Sequence, residues 1–301
     1  MRNIGIVGLG HVGLLLANLL VDRQAVDELV LIDQDDQRVR AVTCDLVDAL
    51  PSHLPVIKEQ DFAALKTADV IVIAAGNGAS LKTGRFAELV DNAKMIQQVA
   101  PRIAKSGFSG VVVNMSNPNE ATTALWQQAL GLPRKQVIGT GTILDTQRAQ
   151  VAVARQGHLN SQMVTGFVLG QHDGSLVFPW LTWQVNGQTM GATVNGYRLD
   201  QHQLAIKARE STWITMEGLG YDATGLCFAA LRIIGAVLSD SGLVLPVAVY
   251  QPQFSTYLSY PVAIGQRGAG NFTLLKLLPV EQEQLLVAAK AVINQVASQQ
   301  E

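Results

Sequence analysis

A glycine-spaced turn near the beginning of the chain constrains the fold more than any other feature. A short apolar run over residues 4–7 ends at Gly8, and Gly10 and Gly13 complete the pattern Gly-x-Gly-x-x-Gly. Between a strand and a helix, Gly8 permits a tight turn, Gly10 lets the backbone approach a pyrophosphate, and Gly13 lets the helix pack closely on the strand. Because 27 of the 301 residues are glycine, the bare pattern arises easily by chance, and its context has to support it.

The residues that follow this turn support a dinucleotide site. Residues 12–20 form an apolar helical stretch, and a second apolar run over residues 29–32 ends in Asp33, 20 residues after Gly13. A carboxylate at that spacing accepts hydrogen bonds from both ribose hydroxyls of NAD and repels the 2′-phosphate of NADP. We therefore predict NAD as the cofactor, with its phosphates at the helix N-terminus. The predicted cofactor-binding residues are Gly8, Gly10, His11, Val12, Gly13, Asp33, Ala75, Gly76 and Asn117.

Strand and helix patterns alternate over the first 140 residues, as a parallel sheet with crossover helices requires. Apolar runs typical of strands covered on both faces occur at Asn3–Val7, Leu29–Asp33, Pro55–Lys58, Asp69–Ala75, Val111–Met115 and Gln136–Gly139. Helical stretches lie between them at Val12–Val21, Asp36–Leu50, Arg85–Ala104 and Glu120–Leu130. The pattern predicts an α/β fold whose N-terminal part is a six-stranded, doubly wound parallel sheet of the Rossmann type.

After Gly141 the pattern changes to that of an α+β domain. Helices are predicted at Ile143–Gln156, Gln201–Glu217 and Thr224–Leu238 and from Val280 onwards, and strands at Met163–Leu169, Val244–Tyr250, Thr256–Ile264 and Asn271–Leu277. No internal repeat or low-complexity linker separates the two parts. We therefore predict an NAD-binding domain over residues 1–140 and a catalytic, substrate-binding domain over residues 141–301, joined by one continuous interface.

Charge and cysteine content argue against several classes of function. A formal net charge of -2 gives no electrostatic reason to expect nucleic acid or an anionic membrane as a partner. The apolar runs are too short and too often interrupted to cross a bilayer. Cys44 and Cys227 lie far apart without metal-ligand spacing, so neither a disulfide nor a metal site is predicted. The first strand begins almost at Met1, and we therefore expect no secretory signal and a cytoplasmic location.

Four polar elements follow the cofactor motif, and each has an ordinary structural explanation when taken alone. Asp145 and Arg148 lie three residues apart on one predicted helix face, where a local ion pair is common. His172 lies in a glycine-flanked loop after a strand, where a histidine is usually a hydrogen-bonded structural residue. Arg85 opens a helix, and Asn117 follows a strand end, where doubly wound sheets bind ligands.

Together these elements resemble the L-lactate/malate dehydrogenase superfamily, and most closely its L-2-hydroxyisocaproate dehydrogenase branch. The resemblance covers nearly the whole chain, and its most specific segments are residues 83–89, 106–108, 115–118 and 137–148. It implies hydride transfer between NADH and the 2-carbon of a 2-oxo acid. It also implies a homotetramer or homodimer.

The resemblance assigns a role to each polar side chain. His172 is expected to give its proton to the carbonyl oxygen, and Asp145 to orient the imidazole and stabilise its charged form. Arg148 is expected to hold the substrate carboxylate through two parallel donors. Arg85 is expected to polarise the ketone, and Asn117 to form a hydrogen bond near the reacting oxygen.

Two departures from the family pattern bear on the substrate. Malate enzymes carry a second Arg in the loop before Arg85, but Ala79 and Ser80 stand there, with Lys82 as the only cation. A larger apolar 2-oxo acid such as 2-oxoisocaproate is therefore expected, and not oxaloacetate. Asp222 replaces the pocket threonine, and it either points inward, where it repels an anionic substrate, or caps the following helix, which we favour.

The predicted substrate-binding residues are Arg85, Asn117, Arg148, His172, Ala79 and Asp222. The residues around His172 are also rearranged relative to the family pattern. Because of these departures a second hypothesis remains, in which the chain is a catalytically weak or silent NAD-binding protein with the same fold.

Overall fold

The structure is a computed structural model that describes residues 1–49, 54–76, 84–172 and 174–299. Its strands are β1 (Asn3–Val7), β2 (Glu28–Ile32), β3 (Val56–Glu59), β4 (Val70–Ile73), β5 (Val111–Asn114), β6 (Val137–Gly139), β7 (Val164–Thr165), β8 (Leu169–Gly170), β9 (Leu176–Val177), β10 (Gln184–Val185), β11 (Gln188–Thr189), β12 (Thr193–Val194), β13 (Tyr197–Arg198), β14 (Leu243–Gln251), β15 (Thr256–Gly265) and β16 (Gly268–Phe272). Its helices are α1 (His11–Asp22), α2 (Asp36–Ala49), α3 (Arg85–Ser106), α4 (Asn119–Leu130), α5 (Ile143–Gln156), α6 (Gln201–Leu219), α7 (Thr224–Ser239) and α8 (Pro279–Ala297).

The first six strands form the predicted doubly wound sheet. They lie in the order β3-β2-β1-β4-β5-β6, and every pair among them is parallel. The order reverses between β1 and β4, so the chain leaves the sheet in opposite directions on the two sides of this point. A crevice opens at the carboxyl ends of strands at such a switch point, and ligands bind there in open α/β sheets. The predicted fold class is confirmed.

Helices cover both faces of this sheet, which explains why its strands, apart from the edge strand β3, are mainly apolar. One core lies under α1, α2 and α7 and includes the buried side chains of Leu16, Val39 and Ile233. The other lies under α3, α4 and α8 and includes Trp126 and Val292. In the strands inside the sheet, the side chains on both faces are therefore removed from water.

The second half of the chain extends the same sheet. β14 pairs antiparallel with β6 through Ala248 and Gly139, and β15 joins β14 to β8 and β16. Within the described ranges the sheet has eleven strands. The predicted α+β segment is thus continuous with the nucleotide-binding sheet, and hydrogen bonds tie the two halves together.

Two predicted strands differ from the structure. The run Met163–Leu169 is divided, because β7 pairs with β10 in a small sheet while β8 pairs with β15. The division falls at Gly166, where a Cβ would lie 2.1 Å from the Trp183 ring. The predicted strand Asn271–Leu277 lies earlier in the chain than expected. A tight connection after Gly265 brings Gly268 directly opposite Gly265, so β16 begins at Gly268, and it ends at Phe272.

Among the described residues, no single helix is both long enough and apolar enough to cross a membrane. The helices α6 and α7, bent by 118° at the break between them, meet that test only as a pair, on length and composition alone.

Candidate active site

The glycine turn has the geometry that its spacing predicts. Gly8 has a φ of +96°, and a Cβ there would lie 2.5 Å from the backbone of Ala75 at the end of β4. A Cβ on Gly13 would lie 1.8 Å from the carbonyl oxygen of Gly8, so α1 packs on the turn at a distance that only glycine allows. A Cβ on Gly10 would meet no atom within 4 Å. The backbone at Gly10 is therefore open to a ligand.

The surroundings of the turn fit a dinucleotide. No side chain caps α1, which begins at His11 directly after Gly10, so its first-turn amides remain available for phosphate. The Asp33 carboxylate lies beside the turn, where it accepts hydrogen bonds from the amides of Leu9 (2.6 Å) and Asp35 (3.1 Å). Asp33 lines a cavity of about 620 Å³ together with Gly8, Gly10, Ala75 and Gly76.

His172 and Asp145 meet in the structure although they are 27 residues apart in the chain. The imidazole Nδ1 lies 2.7 Å from a carboxylate oxygen of Asp145, which is buried in the first turn of α5. Burial of the imidazole opposes its charged form, but attraction to the carboxylates of Asp145 and Glu120 outweighs this and raises the pKa of His172. Burial also opposes the charged form of Asp145 and so raises its pKa, but attraction to His172 and Arg148 outweighs this and holds the pKa of Asp145 below its ordinary value. The pair is therefore poised to keep the imidazole protonated.

Glu120 is a functional candidate that the sequence pattern placed only at the start of a predicted helix. Its carboxylate is fully buried and accepts hydrogen bonds from the backbone amide of His172 (3.1 and 3.2 Å) and from the Ser259 hydroxyl (2.6 Å). Burial raises the pKa of Glu120 despite these donors. The carboxylate holds the backbone of the histidine loop, which fixes where the imidazole points. Its two partners lie 52 and 139 residues away.

Arg148 lies on the same face of α5 as Asp145, as predicted, but its main partner is Asp222. The guanidinium donates a hydrogen bond from Nη2 to the Asp222 carboxylate, and its Nη1 lies 3.9 Å from Asp145. The favoured interpretation of Asp222 as a helix cap is wrong. Ala223 is the N-cap of α7, and no side chain caps that helix. Asp222 points inward instead, because a buried guanidinium offers a charged partner that a helix end does not.

Arg85 and Asn117 border the same cavity as His172. Arg85 is the first residue of α3, and its Nη1 donates a hydrogen bond of 2.6 Å to Glu88. Asn117 precedes a cis proline, and its carbonyl oxygen accepts a hydrogen bond of 2.6 Å from Asn92. The cavity has a volume of about 370 Å³, and its lining includes Gly10, His11, Val12, Ala75, Gly76, Arg85, Asn117, His172 and Asp222. Most of the predicted cofactor and substrate residues therefore converge on one crevice, while Gly8 and Asp33 line the cavity beside it.

Among the predicted substrate-binding residues that the structure describes, Arg148 is the exception. It does not line the cavity that holds His172, whereas Asp222 does. Arg148 instead lines a neighbouring cavity of about 990 Å³, which Asp222 also lines. The Asp222 carboxylate therefore stands between the crevice and the guanidinium.

Tyr221 was not predicted, and no sequence signal distinguishes it. Its ring stacks on the imidazole of His11, with centroids 4.2 Å apart and planes inclined by 8°. The stack joins the glycine turn to the segment before α7. It brings Asp222, the next residue, to the edge of the crevice.

The loop residues Ala79, Ser80 and Lys82 lie outside the described residues, as does Asp173 beside the candidate histidine. No cluster of three or more His, Cys, Asp or Glu side chains able to hold a metal ion occurs in the described ranges.

Comparisons with known proteins agree with this arrangement. Residues 2–139 match the family model of the lactate/malate dehydrogenase NAD binding domain, and residues 142–301 match that of the lactate/malate dehydrogenase alpha/beta C-terminal domain. An L-lactate dehydrogenase from Deinococcus radiodurans is 31% identical over 94% of both chains, and one from Chloroherpeton thalassium is 30% identical over 88% of this chain and 89% of its own. The crystal structure of a minor L-lactate dehydrogenase from Enterococcus mundtii has a TM-score of 0.92 at 26% identity, covering 99% of this chain and 98% of its own. A lactate dehydrogenase from a Medee basin deep-sea metagenome library has a TM-score of 0.91 at 27% identity over the whole of both chains.

Two family models thus account for nearly the whole chain, and the fold, the glycine turn and the His172–Asp145 pair are consistent with them. The chain belongs to the lactate/malate dehydrogenase family.

Proposed function

We propose that this protein is an NAD-dependent L-2-hydroxyacid dehydrogenase that interconverts a 2-oxo acid and the corresponding 2-hydroxy acid. The observation that carries the proposal is the His172–Asp145 pair on the crevice that the glycine turn also borders. A protein that only binds the cofactor has no need of an imidazole held in its charged form beside the nucleotide. NADH, when bound there, supplies the hydride for the carbonyl carbon.

His172 acts as the general acid of ketone reduction. Its Nδ1 faces Asp145, so the opposite nitrogen, Nε2, is the one that donates a proton to the carbonyl oxygen. In the reverse direction the neutral imidazole accepts the proton of the 2-hydroxyl group. Asp145 fixes the orientation of the ring, and its charge stabilises the imidazolium.

Two guanidinium groups and one amide complete the proposed site. Arg148 binds the substrate carboxylate, for which its planar fork is suited. Arg85, at the N-terminus of α3, polarises the ketone as negative charge develops on its oxygen. Asn117 forms a hydrogen bond near that oxygen and, with the glycine turn and Asp33, contributes to cofactor binding. The pairing of Arg85 with Glu88 holds its guanidinium at the edge of the crevice.

We further propose that the preferred substrate carries a side chain larger than that of pyruvate and apolar, such as that of 2-oxoisocaproate. The crevice offers Leu144, Met216 and Leu226 as apolar surface. In the sequence, Ala79 and Ser80 stand where malate enzymes carry a second Arg, and neither residue type can pair with a second carboxylate by charge. Arg38 also lines the crevice, but its Nε is committed to the carbonyl oxygen of Leu9 at 2.6 Å.

The test is NADH oxidation at 340 nm with 2-oxoisocaproate, phenylpyruvate, pyruvate and oxaloacetate. We expect turnover of at least one monocarboxylate, the highest kcat/KM for a large apolar one, and the lowest for oxaloacetate. The variants His172→Ala and Arg148→Ala should each lose most of this turnover. His202→Ala, which removes an exposed histidine near the start of α6, is the matched control and should keep it.

The second candidate is a catalytically silent NAD-binding protein, and the Arg148–Asp222 ion pair is the observation that favours it. A guanidinium already paired within the chain is a poorer carboxylate receptor. NADH binding without turnover of any 2-oxo acid, by wild type and the control alike, would support this candidate and reject the first.

We also propose that residues 1–140 bind the cofactor, that residues 141–301 supply the acid and the carboxylate anchor, and that the protein works as a cytoplasmic homo-oligomer. Trp213, Ile214 and Leu219 on α6 are 68%, 70% and 62% exposed, which suits a face covered by a second subunit. Both cysteines are free, as in a reducing compartment. Analytical ultracentrifugation tests the assembly, and a dimer or tetramer is the expected result.

A further inference from the structure

The Asp222 carboxylate occupies the position on Arg148 that a substrate carboxylate would need. Nη2 of Arg148 donates its hydrogen bond to Asp222, and the side chains of the two residues are 8% and 20% exposed. Asp222 is the more accessible partner. It is also the one that faces the crevice containing His172.

The rest of the guanidinium is poorly satisfied. Nη1 of Arg148 is buried and, within the described residues, has no hydrogen-bond partner. Oδ1 of Asp145 is 3.9 Å from this nitrogen, and Oδ2 of the same carboxylate is paired with His172. A buried guanidinium nitrogen without an acceptor is costly, and a second carboxylate oxygen on this fork would relieve the cost. Asp222 therefore satisfies only one end of the fork, and a carboxylate that engaged both ends would be the better partner.

We propose that Asp222 is a specificity-determining residue that competes with the substrate carboxylate for Arg148. The inference rests on the proposed function, because it assumes that Arg148 receives a 2-oxo acid. Binding exchanges one carboxylate for another on the same guanidinium, so most of the charge attraction gained with the substrate is lost with Asp222. The displaced Asp222 then stays at the crevice as a negative charge near the substrate.

This competition has a consequence for the class of substrate. Every 2-oxo acid binds weakly, since each has to displace Asp222. A substrate with a second carboxylate is disfavoured further, because it brings two negative charges toward Asp222, with Asp145 and Glu120 close behind. Asp222 therefore selects monocarboxylates by repulsion, whereas an additional arginine would select dicarboxylates by attraction.

The ion pair does not have to be present to hold its segment in place. The ring of Tyr221 is stacked on His11, and the amide of Cys227, in the first turn of α7, donates a hydrogen bond of 2.8 Å to the carbonyl of Ala223. Removing the Asp222 charge should therefore leave the segment folded. A structural role and a competitive role thus predict different results for the same variant.

The test uses Asp222→Asn, with Glu217→Gln as the matched control, since Glu217 is an exposed carboxylate on α6 five residues earlier. The probe is oxamate, a carboxylate isostere of a 2-oxo acid that cannot be reduced, titrated into the NADH-loaded protein. We expect the Kd of oxamate to fall about tenfold in Asp222→Asn, corresponding to about 1.4 kcal/mol, and not to change in Glu217→Gln. The KM of the best monocarboxylate should fall similarly, with kcat within about twofold, and the KM of oxaloacetate should fall more.

An unchanged or higher Kd of oxamate in Asp222→Asn, with a single cooperative thermal transition well above the assay temperature, would overturn the proposal. If the asparagine variant does not fold, Asp222→Thr gives the same decision, because threonine carries neither the charge of the carboxylate nor the amide of asparagine. Tighter oxamate binding without turnover of any 2-oxo acid, in wild type as well as in the variants, supports the competition and rejects the proposed function. Turnover with unchanged oxamate affinity supports the function and rejects the competition.

Discussion

Alanine substitutions at Gly13 and Gly10 should separate two roles that one motif combines. At Gly13, alanine improves the helix propensity of α1 by about 1 kcal/mol. Its Cβ, however, would lie 1.8 Å from the Gly8 carbonyl oxygen, against about 3.4 Å for ordinary contact, so turn and helix must separate by roughly 1.6 Å. Overpacking typically costs roughly 1–3 kcal/mol, and backbone cannot rotate away as a side chain can, so the upper end applies. We expect a net loss of about 2 kcal/mol.

At Gly10 the same substitution meets open space. The residue has φ of -65° and ψ of -163°, which alanine adopts without strain, and nothing lies within 4 Å of its Cβ position. The free energy of unfolding should change by less than about 0.5 kcal/mol. The added methyl group occupies the approach of the pyrophosphate, so the Kd of NADH should rise about tenfold or more.

Thermal unfolding and NADH fluorescence titration measure the two effects separately. Gly13→Ala should lower the midpoint by roughly 3 °C, whereas Gly10→Ala should keep the midpoint and lose NADH affinity. The reasoning is refuted if Gly13→Ala unfolds like wild type, because the packing distance would then not constrain the turn. It is equally refuted if Gly10→Ala binds NADH as wild type does.

Three further substitutions test the proposed chemistry. The raised pKa of His172 means that its charged form persists to higher pH than usual. The kcat/KM for ketone reduction should therefore be constant at low pH and fall as pH rises through that pKa. Asp145→Asn should move this fall to lower pH by roughly 1–2 units, and a pH profile that stays in place would contradict the pairing. Glu120→Gln should move it in the same direction by less and should lower the thermal midpoint, because a buried amide donor then faces the donors of His172 and Ser259. Arg148→Lys should raise the KM of the preferred 2-oxo acid about tenfold to hundredfold with little change in NADH affinity, since lysine offers a point charge in place of the planar guanidinium. An equal loss of NADH affinity would count against a role of Arg148 in substrate binding.

The features that were predicted from sequence are those fixed by backbone geometry and short spacing. The positive φ of Gly8 and the close packing at Gly13 follow from three positions within six residues, and the position of Asp33 follows from the length of one strand–helix–strand unit. The alternation of strands and helices gave the sheet for a similar reason. Each apolar run had to be buried on both faces, and few topologies achieve that. The divided strand around Gly166 was missed, because its partners come from different sheets far along the chain.

The side-chain pairs of the site could not be obtained in this way. His172 and Asp145 were brought together only through the resemblance to a family, because their separation carries no periodic signal. Glu120 could not be identified as a site residue from sequence, since neither Ser259 nor the His172 amide is near it in the chain. Long-range pairs of this kind depend on the completed fold, and the fold determines them through burial and charge.

Asp222 illustrates which of two physical effects decides such a position. A side-chain cap on α7 would contribute about 0.5–2 kcal/mol. Leaving the buried guanidinium of Arg148 without its hydrogen-bonded partner would cost more, roughly 3–5 kcal/mol. The ion pair therefore prevails, and α7 begins uncapped at Ala223. In this chain Asp222 thus supplies the anion for the buried guanidinium of Arg148 when no substrate is bound, and on the competition proposed above it does so at the expense of the affinity for the substrate carboxylate.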